Sequence, residues 1–291
     1  MESLLSNRIR RRCSYLMLSA TAAVSLSVNI PAPAQAIPLG NLLFQGIQLI
    51  QLSNISDRQE VKIGQQINQQ LLRQGMRLYK DPAVNQYVNQ VGQRLAAVSD
   101  RQVTYKFQIV NDPKINAFAT TGGFVYVNTG LLKAADNEAQ LASVLAHEMG
   151  HIQANHLVEQ MQQTAIARGL MTAAGVDQNV LANIGVDLAL NRPNSRKDEF
   201  EADRRGLETL RKADYAESAM PEFMKKLSTQ RSIPTFLSDH PATTDRIAAL
   251  EKAIRSSSGN SCTQNLQASS CGLDETAYQQ NVSSRLASRN R

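Results

Sequence analysis

Apolar side chains recur at helical spacing along most of the chain. Within residues 57–80, apolar residues such as Ile67 and Leu71 stand among Gln and Arg, which is typical of a helix on a protein surface. A second helix is predicted from Asp81-Pro82, because Pro is well accommodated in the first turn of a helix. The same spacing predicts helices over residues 136–162, 195–212, 216–229 and 242–254.

The spacing changes to alternation over residues 103–109, where apolar and polar side chains take turns, and this indicates a β-strand. Two shorter strands are predicted near residues 115–118 and 124–127. A few short strands among many helices predict an α+β fold that is mainly helical, with a small sheet beside the helix at 136–162.

Residues 164–194 are apolar and rich in Ala, with several glycines among them. The charged side chains of Arg168, Asp177 and Asp187 argue against a membrane span in this segment. Two interpretations stay open: a packed helical hairpin, or a mobile lid over a binding site.

The first 36 residues have the pattern of a secretory signal peptide. A basic start at residues 8–12 precedes an apolar run at 15–28, which is shorter than the ~20 residues that span a bilayer. The small residues of Ala34-Gln35-Ala36 then mark a cleavage site. We therefore expect a protein that is periplasmic or otherwise exported after removal of the signal peptide, with residues 37–56 as a lead-in to the folded domain.

The charge of the chain changes once this leader is removed. The whole sequence has a formal charge of +6, and loss of four Arg and one Glu in residues 1–36 leaves +3. That balance is too mild to indicate a nucleic-acid partner. No membrane span is expected in the mature chain, although peripheral contact with a membrane is compatible with the sequence.

The mature chain keeps two cysteines, Cys262 and Cys271. Export implies an oxidising compartment, where an even pair of cysteines predicts a disulfide. Residues 257–291 are rich in Ser, Gly, Asn and Gln, and this composition predicts a weakly structured tail.

The motif with the clearest chemistry is His147-Glu148-Met149-Gly150-His151, inside the predicted helix at 136–162. Residues four apart lie on one face of a helix, so the two imidazoles can reach a single metal ion. Glu148 is rotated by about 100° from His147, where a general base for a metal-activated water belongs. The motif predicts one Zn²⁺ per chain, bound by His147 and His151.

A catalytic zinc usually has three protein ligands. Glu199 and Asp203 share a face of a predicted helix, so Glu199 is a candidate third ligand and Asp203 a hydrogen-bond acceptor for a ligating imidazole. These residues alone also allow a solvated acidic patch paired with neighbouring arginines.

The helix motif, the Glu199–Asp203 pair and the later Asp239-His240-Pro241 with Arg246 together resemble the M48 family of gluzincin metallopeptidases. The sequence Asn116–Val127 also resembles the strand region before the active helix of that family. The resemblance covers residues 57–256 and is to soluble periplasmic members, without the tetratricopeptide array that these carry. It implies that Glu199 is the third zinc ligand and Asp203 its supporting partner.

The resemblance also has implications for residues outside the helix motif. On local sequence His240 is a surface loop residue, but the family places such a His near the zinc, as a latch ligand or as a donor to the developing oxyanion. Arg246 would support the oxyanion or a nearby carboxylate. The strand at 124–127 would be an edge that pairs with an extended substrate. His156, five residues after His151, is expected to be a surface or capping residue.

Two functions from different classes follow. The first is a zinc endopeptidase that hydrolyses misfolded or unassembled exported polypeptides, with Glu148 as the base. The second is a chaperone-like binding protein with a latent or structural zinc site. Glu148 favours the enzyme, because a structural zinc site has no use for a base.

Overall fold

A computed structural model describes residues 55–170, 176–191, 194–241, 244–264 and 271–288 of the protein. The predicted signal peptide and nearly all of the lead-in segment lie outside these residues. The helices are α1 (Asp57–Arg73), α2 (Pro82–Ala96), α3 (Thr129–Ala134), α4 (Glu138–Gln153), α5 (His156–Ala167), α6 (Gln178–Asn191), α7 (Arg196–Lys212), α8 (Ala219–Ser228), α9 (Thr235–Asp239), α10 (Thr244–Ser256), α11 (Ser261–Gln264), α12 (Glu275–Tyr278) and α13 (Ser284–Ser288).

Several of these helices begin at side chains that satisfy their free N–H groups. Ser56 caps α1 together with Gln59 in a reciprocal capping box. Asp81 caps α2 and places Pro82 in its first turn, as the sequence predicts. Asn137 accepts a hydrogen bond at the start of α4.

The sheet has three strands in the order β1-β3-β2. Strand β1 (Lys106–Val110) pairs in parallel with β3 (Phe124–Asn128), and β2 (Ala117–Ala119) pairs with β3 in antiparallel orientation. The expectation that residues 124–127 form an edge is wrong, because β3 lies in the middle. Among the described strands, β1 and β2 form the edges.

The sheet separates two hydrophobic clusters. Alternate residues of β3 face opposite ways: Val125 and Val127 join a cluster with α2, α4 and α8, whereas Phe124 and Tyr126 join a second one with α1, α5 and α6. This alternation is the period-two pattern of a strand buried on both faces. The mainly helical α+β fold with a small sheet beside α4 is confirmed.

The helix predicted over residues 136–162 is broken in the structure. Helix α4 ends at Gln153, Asn155 has a left-handed backbone with φ of 60°, and α5 starts at His156. Asn tolerates this conformation better than most residues do. The break turns α5 away from the axis of α4 and changes where His156 points.

Helices α5 and α6 pack against each other and against α1. The described part of residues 164–194 is thus packed against α1, while the connection between α5 and α6 at residues 171–175 lies outside the described residues. Among the described residues, no helix is sufficiently long and apolar to cross a membrane.

Residues 271–288 are not weakly structured, contrary to the prediction for the tail. Tyr278, Val282 and Leu286 are buried and belong to the same hydrophobic cluster as α4. The Tyr278 hydroxyl donates a hydrogen bond of 2.8 Å to the carbonyl of Leu132. Polar residues between these apolar positions dominate the composition, which is why the prediction failed.

The tail also meets the start of the active-site helix. The carbonyl of Gly272 accepts a 2.8 Å hydrogen bond from the Ala139 amide in the first turn of α4. The Cα atoms of Cys262 and Cys271 are 5.5 Å apart, within the range that a disulfide spans.

Candidate metal centre

Helix α4 places His147, Glu148 and His151 in the protein interior. Their exposed fractions are 3%, 1% and 7%. The Nε2 atoms of the two histidines lie 3.1 Å apart, so both rings turn toward one point. The sequence motif therefore forms a buried pair of imidazoles with a carboxylate alongside.

Helix α7 brings a second set of acidic groups to this point, because it crosses α4 closely. Gly150 makes the crossing possible: a Cβ atom there would lie 2.6 Å from the carbonyl oxygen of Ala202. The close approach puts Glu199 Oε2 at 3.4 Å from His147 Nε2, and Glu199 Oε1 at 3.3 Å from His151 Nε2.

Asp203 lies one turn further along α7, behind the first histidine. Its Oδ1 is 3.0 Å from His147 Nδ1. A carboxylate there accepts a hydrogen bond from the Nδ1–H of His147, which leaves His147 Nε2 free to bind a metal. The solvated acidic patch is excluded, since Glu199 and Asp203 are 1% and 3% exposed.

His240 follows α9 and points into the same centre. Its Nδ1 is 3.2 Å from His147 Nε2 and 3.0 Å from Glu199 Oε1, while its Nε2 is 3.4 Å from Glu148 Oε1. With 3% exposure, His240 is not the surface residue that its local sequence indicates. The structure brings His240 together with His147, His151 and Glu199.

Arg246 on α10 binds the acidic groups from behind. Its Nε and Nη2 each donate a 2.7 Å hydrogen bond to Asp203, and its Nη1 lies 2.6 Å from Glu199 Oε2. Of the two roles predicted for Arg246, the structure shows the contact with carboxylates.

The protonation equilibria follow from burial and from these contacts. Burial opposes a charge on His147, but Asp203 and Glu199 outweigh it and raise its pKa to about 10. Burial lowers the pKa of His151 to about 4. Burial alone would raise the pKa of Glu199, yet His240 and His147 hold it well below its usual range.

The geometry of the donor atoms fits a metal ion. One atom each from His147, His151, Glu199 and His240 can be chosen so that all four lie within 4.8 Å of one another. Ligands at 2.0–2.1 Å in a tetrahedron are about 3.3 Å apart, and the contacts of 3.0–3.4 Å described above are close to this spacing.

The charges of the centre also fit a divalent cation. Three buried acidic side chains, Glu148, Glu199 and Asp203, face the single guanidinium of Arg246. A metal ion displaces the proton of a ligating imidazole, so the imidazoles are neutral when it binds. The formal excess is then two negative charges, which a divalent ion would balance. Glu148 Oε1 accepts no hydrogen bond within the described part of the chain, so it is available to a further polar group.

The prediction that His156 is a surface or capping residue is wrong. It is 4% exposed, and its Nδ1 lies 2.8 Å from Nδ1 of His151. On an unbroken helix a residue five positions later points about 140° away. The break at Asn155 turns His156 back, and this Asn was the only local signal of it.

A small cavity of about 40 Å³ opens beside the donor atoms. Phe118 and Ala119 of β2 form one wall, and Leu188 and Ala189 of α6 form another. Edge strand β2 and helix α6 thus border the same space as Glu148.

The centre combines two histidines and a glutamate from crossing helices with Glu148, which is not among these three candidate ligands. This combination is typical of metallopeptidases. The chain matches Peptidase family M48 over residues 82–254, more than half of its 291 residues, and it belongs to that family. The predicted family resemblance is confirmed.

Several curated proteins are similar to this chain. The beta-barrel assembly-enhancing protease of Escherichia coli K12 is 32% identical over 250 residues, which are 79% of this chain and 50% of that protein. A putative protease of the same name from Vibrio cholerae is 33% identical over 203 residues, 64% of this chain and 42% of the relative. The mitochondrial metalloendopeptidase OMA1 of Schizosaccharomyces pombe is 32% identical over 174 residues, 57% and 52% of the two chains. The chain spans about half the length of these relatives.

Proposed function

We propose that this protein is a zinc-dependent endopeptidase that hydrolyses polypeptides. The observation that carries the proposal is the position of Glu148, a buried carboxylate with one oxygen free of hydrogen bonds from described residues, beside His147, His151 and Glu199. These three would hold the zinc ion. When bound, zinc polarises the scissile carbonyl and makes water more acidic.

The residues of the chain then have separate tasks. Glu148 accepts a proton from the attacking water and later delivers it to the leaving amine. Asp203 keeps the proton of His147 on Nδ1, so that Nε2 stays available as a ligand. Arg246 holds both Asp203 and Glu199 in place.

Strand β2 is the proposed docking edge for the substrate. Phe118 and Ala119 line the cavity beside Glu148, and one side of β2 is unpaired among the described strands. An extended peptide added to this edge forms main-chain hydrogen bonds that do not depend on its sequence. Such binding favours unfolded segments over folded proteins.

We further propose that the substrates are misfolded or unassembled exported proteins. The predicted signal peptide of residues 1–36 and the likeness to beta-barrel assembly-enhancing proteases support a role in quality control of the cell envelope. N-terminal sequencing of the protein from the exported fraction should begin at Ile37. A sequence starting at Met1 would contradict export by cleavage.

A second candidate function has its own observation. Because His240 supplies a fourth donor atom, the centre resembles a closed site, which favours a latent enzyme or a chaperone-like protein with structural zinc. His240→Ala should retain zinc and change the rate of peptide hydrolysis: a rise identifies His240 as a latch, and a loss identifies it as a donor to the oxyanion. An unchanged rate would contradict both roles.

The decisive experiment on the enzyme proposal is Glu148→Gln. This variant keeps the shape of the side chain and removes the base, so it should bind zinc normally and retain at most a few per cent of the hydrolysis of an unfolded protein substrate. Glu159→Gln makes the same chemical change on the exposed face of α5 and should leave activity unchanged. Metal analysis and a peptidase assay measure both properties. Substantial activity in Glu148→Gln, or none in the wild type, would refute the proposal.

A further inference from the structure

His156 is a buried imidazole that the mechanism above does not use. It is 4% exposed and lies at the first position of α5, beyond the left-handed Asn155. Buried polar side chains are rarely kept without a partner. The partner here is His151, with the two Nδ1 atoms 2.8 Å apart.

The tautomers of the two rings follow from their surroundings. His151 Nε2 faces Glu199 Oε1 and His147 Nε2, and it must be unprotonated to bind a metal. The proton of neutral His151 is therefore on Nδ1, and the described residue that faces this nitrogen as a hydrogen-bond acceptor is His156, through its Nδ1. His156 then carries its own proton on Nε2.

The far side of His156 faces acidic groups of α7. Its Nε2 lies 3.7 Å from Glu201 Oε2 and 3.9 Å from Asp198 Oδ1. Both distances are longer than a hydrogen bond, but two carboxylates favour a protonated nitrogen on that side. Helix α7, which also carries Glu199, thus favours the tautomer of His156 that has its proton on Nε2 and leaves Nδ1 free to accept a hydrogen bond.

We propose that His156 is a positioning residue for the metal centre: its Nδ1 accepts a hydrogen bond from the Nδ1–H of His151 and fixes the tautomer and orientation of that ligand. The inference rests on the proposed zinc site. It gives each histidine ligand of α4 its own acceptor, because Asp203 has the same contact with His147. Outer partners of this kind typically contribute 10–100-fold to metal affinity.

The test compares zinc affinity in three variants by competition with a fluorescent chelator. His156→Leu fills the site but cannot accept a proton, so zinc should bind about 10–100-fold more weakly. His156→Asn places an amide oxygen near the position of Nδ1 and should restore the affinity to within about threefold of the wild type. Thr164→Val removes a buried hydroxyl elsewhere on α5, which has no partner among described residues, and should leave the affinity unchanged.

Thermal unfolding of the metal-free proteins separates positioning from folding. A purely structural role would lower the unfolding temperature of His156→Leu while its zinc affinity stayed at the wild-type value, and that result would overturn the inference. An Asn variant as weak in zinc binding as the Leu variant would overturn it too. A wild-type protein that binds zinc without hydrolysing peptides would refute the proposed enzyme but not the role of His156.

Discussion

Replacing Arg246 with Met tests how the buried acidic groups are held. Arg246 is 2% exposed and donates two 2.7 Å hydrogen bonds to Asp203. Its Nη1 also lies 2.6 Å from Glu199 Oε2. Met preserves much of the aliphatic packing and removes only the charge and the donors. Removal of one partner from a buried ion pair destabilises a protein by about 3–5 kcal/mol, because the other charge stays buried.

The size of this effect should depend on the metal. Without the guanidinium, the positive charge that remains beside Glu199 and Asp203 in the metal-free centre is that of protonated His147, whose pKa is raised to about 10. A bound divalent ion supplies part of the missing positive charge. We therefore expect the loss of about 3–5 kcal/mol in metal-free protein and a smaller loss in the zinc-loaded protein.

Urea unfolding with and without a chelator measures both quantities. Arg205→Met is the matched control, since Arg205 pairs with Glu201 at the partly exposed surface of α7 and should contribute only about 0.3–0.5 kcal/mol. A loss in Arg246→Met no larger than in Arg205→Met would refute the reasoning. Equal losses with and without zinc would refute the role assigned to charge balance.

Two further changes test the packing around the centre. Gly150→Ala should separate α4 from α7, because its Cβ would meet Ala202; we expect a destabilisation of about 1–3 kcal/mol and weaker zinc binding, measured by thermal unfolding and chelator competition. An unchanged unfolding temperature and zinc affinity would show that the contact between α4 and α7 accommodates a methyl group at residue 150. Replacing Cys262 and Cys271 by Ser should lower stability by about 2–3 kcal/mol under oxidising conditions, since they close a short loop with a sequence separation of 9. Two free thiols in mass spectrometry of the exported protein would contradict the predicted disulfide.

Residues close in sequence are the ones whose arrangement the sequence predicts well. The spacing of His147 and His151, and of Glu199 and Asp203, defines shared helix faces, because the geometry of a helix is fixed locally. That the two faces meet depends on the crossing at Gly150, which no periodicity reveals. The position of His240 was indicated by family resemblance alone, since its local sequence is that of a surface loop.

The wrong predictions concern arrangements that depend on distant contacts or on one backbone conformation. The sequence of strand β3 is a short apolar run, and such a run does not indicate whether the strand lies at the edge or in the middle of its sheet. His156 was misplaced because helical spacing continues through Asn155, although the backbone does not. The buried face of the tail is formed by Tyr278, Val282 and Leu286, too few apolar residues to change its average composition.

The contact between the tail and α4 links the order of synthesis to the completion of the core around the proposed metal centre. Tyr278 follows His147 by 131 residues, yet the helices that carry these two residues contribute side chains to the same hydrophobic cluster. The carbonyl of Gly272 also accepts a hydrogen bond from the first turn of α4. A chain leaves the ribosome from its N-terminus. Helix α4, which carries two of the proposed zinc ligands, is therefore made long before the tail, and a partly synthesised chain lacks the contact of Gly272 with the first turn of α4. This sequence order delays completion of the core around the proposed catalytic centre until nearly all of the described chain is present.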